Sequence, residues 1–301
     1  MIFIQIRTIS EENKIITVDI NGNGDFTNIN EAINNSPEKS TIYVKKGVYN
    51  EILNIQKELK IISEDKYQTI INPISKENHY AIRLGAQNIV FDGFTISNRA
   101  PGIYTNAIRI SSDYIKIKNC IIHDNPVGIA VFTSNNIIEN CIFYNCKDEG
   151  IALIGSTYHI CSKNLIKDCT FYNNCDGIEL QYSSNNIISN CHLFNNTHTG
   201  IDAIASSNNF NKIKDCQIHD NQVHGIYFSD SSDNEINNCE IKSNYDGNII
   251  MKKNSYNNLI IERTENNNLE DKNLKKNYKN FILTLLNNQI SKITRYLINI
   301  N

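Results

Sequence analysis

The sequence predicts an all-β fold: a single-stranded right-handed parallel β-helix (solenoid) with a short N-terminal capping helix and a C-terminal amphipathic helix. Three observations predict it. A cysteine recurs at Cys120, Cys141, Cys169, Cys191, Cys216 and Cys239, at spacings of 21, 28, 22, 25 and 23 residues. A glycine follows each, eight or nine residues later, at Gly128, Gly150, Gly177, Gly200, Gly225 and Gly247. Apolar and polar residues alternate between them at strand spacing, and clusters such as Ser183-Ser184-Asn185-Asn186 and Ser206-Ser207-Asn208-Asn209 punctuate them as turns. A fixed period of this length marks a solenoid, because one short unit cannot bury its apolar face alone and stacked units can. Crossovers between parallel strands are overwhelmingly right-handed, which sets the hand.

The chain begins with a stretch that is not repeat-like. Thr27 or Asn28 is placed to cap a short helix whose Ile29, Ala32 and Ile33 face the core. The solenoid is expected over residues 15–252. Inside it, the residues two after each Cys (Ile122, Phe143, Phe171, Leu193, Ile218, Ile241) and three after each Gly (Val131, Leu153, Leu180, Ala203, Phe228, Ile250) should point inward. Five after each Cys stand Asn125, Cys146, Asn174, Asn196, Asn221 and Asn244, a column that predicts an asparagine ladder along the axis. Residues 253–277 are rich in Asn, Lys and Glu and are expected to be a polar linker. In residues 278–301, Phe281, Leu285, Leu286, Ile290, Ile293 and Leu297 share one helical face, expected to cover the end of the solenoid.

The first segment carries a resemblance. Gly24-Asp25-Phe26 leads through Ile29 to Ala32-Ile33, and Tyr43-Val44-Lys45-Lys46-Gly47-Val48-Tyr49-Asn50-Glu51 follows. These residues resemble the N-terminal part of pectin methylesterases and of the wider pectate-lyase-like superfamily of β-helix proteins. The resemblance implies a capping helix, a β-helical fold and a polysaccharide or glycan partner. It does not extend to the esterase's catalytic motifs. Asn106-Ala-Ile-Arg-Ile110 stands where a glutamine opens one of them, Pro126-Val127-Gly128-Ile129 lacks the acid/base aspartate, and Asp148-Glu149-Gly150 matches the nucleophile motif only loosely. Pectin methylesterase activity is therefore not expected. An extracellular or cell-surface location is implied only by this resemblance, since Met1-Ile-Phe-Ile-Gln-Ile-Arg7 is too short and polar for a complete signal peptide.

Composition narrows the classes. A net charge of −3 over 301 residues gives no nucleic-acid signal. No run is long and apolar enough for a transmembrane helix. Six of the nine cysteines occupy one repeat position, where a free thiol behaves as a small hydrophobe, and Cys146, Cys161 and Cys175 lack C-x-x-C spacing. No metal centre and no cofactor follow from that pattern. Asp19-x-Asn21-x-Asn23-Gly24 imitates the start of a calcium loop but has Asn30 where a bidentate Glu is wanted, so a turn is the simpler reading and Ca2+ the second.

Chemistry is expected on outward positions around the glycines. There the column changes from Val127 and Ala130 to Asp176, Glu179, Asp202 and His224, the candidate catalytic residues. Glu149, Gln181, Tyr182, His198 and Tyr227 are the candidate substrate-binding residues beside them. Carboxylates one coil apart, about 5 Å, raise each other's pKa and suit the acid/base pair of a polysaccharide hydrolase or lyase. The same carboxylates suit a divalent cation. Outward rings at Tyr144, Tyr172 and Phe194 are expected to stack against sugars, and the insertion at 156–167 is expected to wall a cleft. The alternative is a non-catalytic β-helix binding module of structural or adhesive role, whose outward carboxylates are solvated surface.

Overall fold

The computed structural model describes residues 14–261. The chain winds as a parallel solenoid with three strands per coil, each feeding a different sheet. The first sheet has eleven strands, from Ile15–Val18 to Leu259–Ile261, and the second has nine, from Gly47–Tyr49 to Glu240–Lys242. The third also has nine, from Leu53–Ile55 to Gly247–Lys252. All ladders are parallel and in register from coil to coil, as in Ile122↔Phe143 and Phe143↔Phe171.

The repeat residues explain the winding. A residue in the left-handed region stands immediately before each cysteine: Asn119, Asn140, Asp168, Asn190, Asp215 and Asn238. Asn and Asp tolerate that conformation better than other side chains, so each turns the corner from the first sheet to the second. The cysteine then points inward, nearly or fully buried in the first five coils, and its thiol donates back to the carbonyl two residues earlier, as from Cys120 to Lys118 at 3.3 Å. All nine cysteines are free. The glycine is required by close approach between coils. A Cβ on Gly177 would sit 2.5 Å from the carbonyl oxygen of Gly200, and one on Gly200 would sit 2.6 Å from that of Gly225.

The inward columns two after Cys and three after Gly are buried through Ile218 and Phe228. The last coil departs from expectation. Gly247 pairs with His224 rather than with Gly225, so Met251 takes the inward place opposite Phe228, and Ile250 pairs with the outward Tyr227. The glycine comes one residue early, and a one-residue offset in a strand exchanges its faces.

The asparagine ladder is present. Backbone N–H and side-chain amide of Asn174 both donate to Asn196 Oδ1, at 3.1 Å each, and Asn196 to Asn221 and Asn221 to Asn244 repeat the pattern. Cys146 interrupts the side-chain chain but still donates its N–H to Asn174. A second ladder, not anticipated, runs through Asn136, Asn164, Asn186, Asn211, Asn234 and Asn258. It carries the solenoid beyond residue 252. Asn258 continues the column, and Leu259–Ile261 pairs with Glu235–Asn237 inside the stretch expected to be a linker. The helix expected at 278–301 lies outside the described residues.

At the N-terminal end, Ile29–Asn35 forms the expected helix, with Ile29, Ala32 and Ile33 buried. The Asn28 side chain accepts from Glu31 N–H at 2.8 Å. The Glu51 carboxylate accepts from the N–H groups of Ile29 and Asn30, so a residue of the following coil completes the cap. In the segment that imitates a calcium loop, Asp19 accepts from Asn21 N–H and Asp25 from Thr17 N–H. Both carboxylates are thereby used in local turn geometry.

Candidate active site

The outer face of the third sheet changes character along the axis. Its aligned outward positions read Arg83, Arg109, Ala130, Ala152, Glu179, Asp202 and Tyr227. Two arginines are thus followed by an apolar floor, then by carboxylates, then by an aromatic. The floor is a small cluster of Val127, Ala130 and Ala152 backed by Phe132 and Ile154.

The strands Glu149–Ile154, Asp176–Gln181 and Ile201–Ile204 bring the acids together. Glu149 pairs with Asp176, and Glu179 with Asp202. These side chains point away from the solenoid core, yet Glu149, Asp176, Glu179 and Asp202 are only 7%, 4%, 6% and 5% exposed. Neighbouring coils about 4.8 Å above and below shield an outward side chain in a parallel stack. The expected exposed row is therefore a desolvated cluster.

Desolvation decides the protonation states. Burial, and then the charge of Glu179, hold the Glu149 carboxyl well above the usual range. Glu149 shares a hydrogen bond with Glu179, which also accepts from the Gln181 amide. Burial likewise raises Glu179. Burial, then Asp176 and Glu179, push Asp202 up to about 7, and its Oδ1 is buried without a hydrogen-bond partner. Asp176 is held differently. Its Oδ1 accepts from Thr199 N–H and from His198 Nδ1, both at 2.8 Å. The hydrogen bond to Asp176 raises the His198 imidazole, whose Nδ1 also lies 3.9 Å from Asp202 Oδ2.

The other candidates lie at the rim. His224 stacks on Tyr227 with ring centroids 5.3 Å apart, one coil beyond Asp202, and its Nδ1 is buried without a partner. Burial lowers the His224 pKa. Tyr182 leaves the strand with φ of +46°, and its carbonyl accepts from Cys161 N–H, which joins coils at the strand end.

Two structural expectations change. The rings of Tyr144, Tyr172 and Phe194 belong to the second sheet, not to the face that bears the acids. They stack on one another and on His123 and His219, with centroids 5.0–5.5 Å apart and interplanar angles of 7–16°. Their faces are occupied by each other, which leaves only ring edges to the outside. The insertion turns on itself through Ser156 and His159 and pairs Cys161–Ser162 with Ser183–Ser184. Tyr158 at its tip is 99% exposed, so its ring walls no cleft.

Sequence reasoning noted Asp148 and Cys175 without assigning them to the site, and did not assign the arginine pair either. Asp148 is raised by burial and by Asp176. Its signal was an acid directly beside Glu149. Arg83 and Arg109 line a cavity of about 540 Å3 with Tyr80, Ser111 and Phe132, and the Arg109 guanidinium lies 4.1 Å over the Phe132 ring. Their signal was the same outward position in consecutive coils.

Comparison with known proteins agrees with this architecture. A family described as "Right handed beta helix region" matches residues 5–210 and 106–265. "Probable pectinesterase/pectinesterase inhibitor 41" of Arabidopsis thaliana is 30% identical over 145 residues, and "Probable pectinesterase/pectinesterase inhibitor 13" of the same plant is 29% identical over 149. Those matches cover 45% and 44% of this chain but only 22% and 24% of the relatives' own length. Among solved structures, pectate lyase Pel9A superposes with a TM-score of 0.57 at 14% identity, over 84% of this chain and 78% of its own. The periplasmic alginate epimerase AlgG superposes with a TM-score of 0.52 at 16% identity, over 75% and 61%. At these identities the likeness is one of fold.

Proposed function

The chain belongs to the right-handed β-helix family, and on that premise we propose that it binds a polysaccharide along the outer face of the third sheet and cleaves it by carboxylate acid/base chemistry. One observation carries the proposal: Asp202 is buried, keeps an unpartnered oxygen and titrates at about 7, directly opposite Glu179 in the adjoining coil. An acid with that pKa is half protonated at neutral pH, which favours both giving and taking a proton. Polysaccharide-directed names among the relatives and structural neighbours support the substrate class.

Asp202 is the general acid in this reading and protonates the bridging oxygen of the scissile bond. Glu179, held by the Gln181 amide and by Glu149, is the partner carboxylate that meets positive charge developing at the sugar carbon. Strand spacing of about 4.8 Å between the two suits the retaining arrangement of a glycosidase. Asp176 and His198 fix each other beside Asp202 through their hydrogen bond. The apolar floor at Ala130 and Ala152 gives a chain a flat path toward the arginine cavity.

The test is a screen of neutral and acidic polysaccharides for new reducing ends or unsaturated products, run with Asp176→Asn, Glu179→Gln and Asp202→Asn. Turnover that falls in Glu179→Gln and Asp202→Asn supports the assignment. Turnover unchanged in all three variants removes it, and glycan binding with no turnover by the parent protein makes the chain a binding module.

A further inference from the structure

Cys175 is the one repeat-region cysteine that is neither in the inward column nor buried. It precedes Asp176, two residues before Gly177, and His198 stands at the same place before Gly200. The coils bring these positions together, since His198 N–H donates to the Cys175 carbonyl at 2.9 Å. As a result Cys175 Sγ, an Asp176 carboxylate oxygen and a His198 ring nitrogen all lie within 4.8 Å of one another. A separate observation points to a ligand at this place. Asp202 is 95% buried, its Oδ1 has no partner and its Oδ2 is 3.9 Å from His198 Nδ1. A buried carboxylate oxygen without a donor is costly, and a cation between these groups would satisfy it.

We propose that Cys175, Asp176, His198 and Asp202 form a binding site for a borderline-soft divalent cation of the zinc type. The donor set selects the metal. Calcium and magnesium take oxygen ligands, whereas one thiolate and one imidazole beside two carboxylates suit Zn2+ or Co2+ in four-coordination. Tetrahedral bonds of about 2.0–2.3 Å need ligand atoms roughly 3.3–3.8 Å apart. Cys175, Asp176 and His198 already stand within 4.8 Å of one another, and Asp202 Oδ2 approaches His198 Nδ1 at 3.9 Å, so three ligands are gathered and Asp202 closes the fourth position from the adjoining strand by side-chain rotation. Loading releases to solvent the thiol proton and the proton between His198 and Asp176, and the metal takes their place. The site does not depend on the carbohydrate reading, although a bound cation would make Asp202 a ligand instead of a proton carrier.

Cobalt tests this without any glycan. The full chain, stripped with chelator and kept reduced, is titrated with Co2+ alone and the near-ultraviolet and visible absorption recorded. The expected result is one Co2+ per chain with a thiolate-to-cobalt band that added Zn2+ abolishes. Cys175→Ser should lose that band while keeping its circular dichroism, and His198→Ala should weaken Co2+ binding by at least about tenfold. No thiolate band in the parent chain overturns the proposal. A band that survives Cys175→Ser does so too, because it belongs to another cysteine.

Discussion

The second and third sheets each present an outward column made by the same repeat, and the two columns use their groups in opposite ways. On the second sheet, His123, Tyr144, Tyr172, Phe194 and His219 cover one another's faces. His123 and His219 engage Asp124 and Asp220. That column is satisfied by its own members. On the third sheet, equivalent outward positions hold carboxyls whose pKa burial, and then neighbouring acids, raise, and an oxygen of Asp202 has no partner. Residues there oppose folding and residues on the second sheet support it. Unfavourable electrostatics kept in one place is the usual mark of a site whose energy is used on a ligand.

Asp202→Asn breaks the comparison most sharply, because it should harm turnover and help stability. Loss of the acid is expected to lower kcat about a thousandfold, within the usual range for general acid catalysis. A loss under about tenfold would remove Asp202 from the chemistry. The stability effect depends on pH. The folded carboxyl titrates at about 7 against 3.8 for the free group, so it is raised by burial. Both states hold the proton below pH ~4, and the parent and variant should then match. As pH rises through ~4 to ~7 the unfolded chain releases a proton that the folded chain keeps, so the parent loses stability. By pH 8 the deficit is at most about 4 kcal/mol, and Asp202→Asn escapes it. Urea midpoints at pH 4 and pH 8 check this, and a variant less stable than the parent at pH 8 contradicts it.

An interior ladder residue should behave in the reverse way. Asn196 accepts from the backbone and amide of Asn174 and donates to Asn221. Asn196→Ala leaves buried donors on Asn174 unmet, at a cost of about 1–3 kcal/mol at any pH. Midpoint loss that varied between pH 4 and pH 8 would mean the ladder is coupled to the carboxylates.

The fold was legible because the Cys, Gly and Asn columns each have a steric or hydrogen-bonding cause that allows few residues. The second ladder, through Asn164 and Asn186, was missed because Asn is so frequent here that one more column did not stand out. The strand Leu259–Ile261 was hidden by polar neighbours for the same reason. Alternation said correctly that Glu179 and Asp202 point away from the core. It could not say that they are desolvated, since burial of an outward group depends on the coils above and below. Nor could it give ring tilt, and so Tyr172 read as a platform for sugars. His198 was legible as a polar neighbour of the acids, whereas Cys175 was set aside for lack of C-x-x-C spacing, because which residues of adjoining coils meet is fixed by the winding.

The smallest expected effect is at that ring. Tyr172 lies between Tyr144 and Phe194 at centroid distances of 5.2 and 5.4 Å. Tyr172→Ala removes two stacked contacts on a partly exposed face, and an aromatic pair of this kind contributes about 0.5–1.5 kcal/mol. The variant should unfold at a slightly lower urea concentration and keep the parent's glycan affinity and turnover. A ring that served as a sugar platform would show the converse, with affinity falling and stability hardly changed. Measuring both on one variant decides whether the stacked column holds the coils or holds a ligand, because faces already covered by neighbouring rings are not available to both.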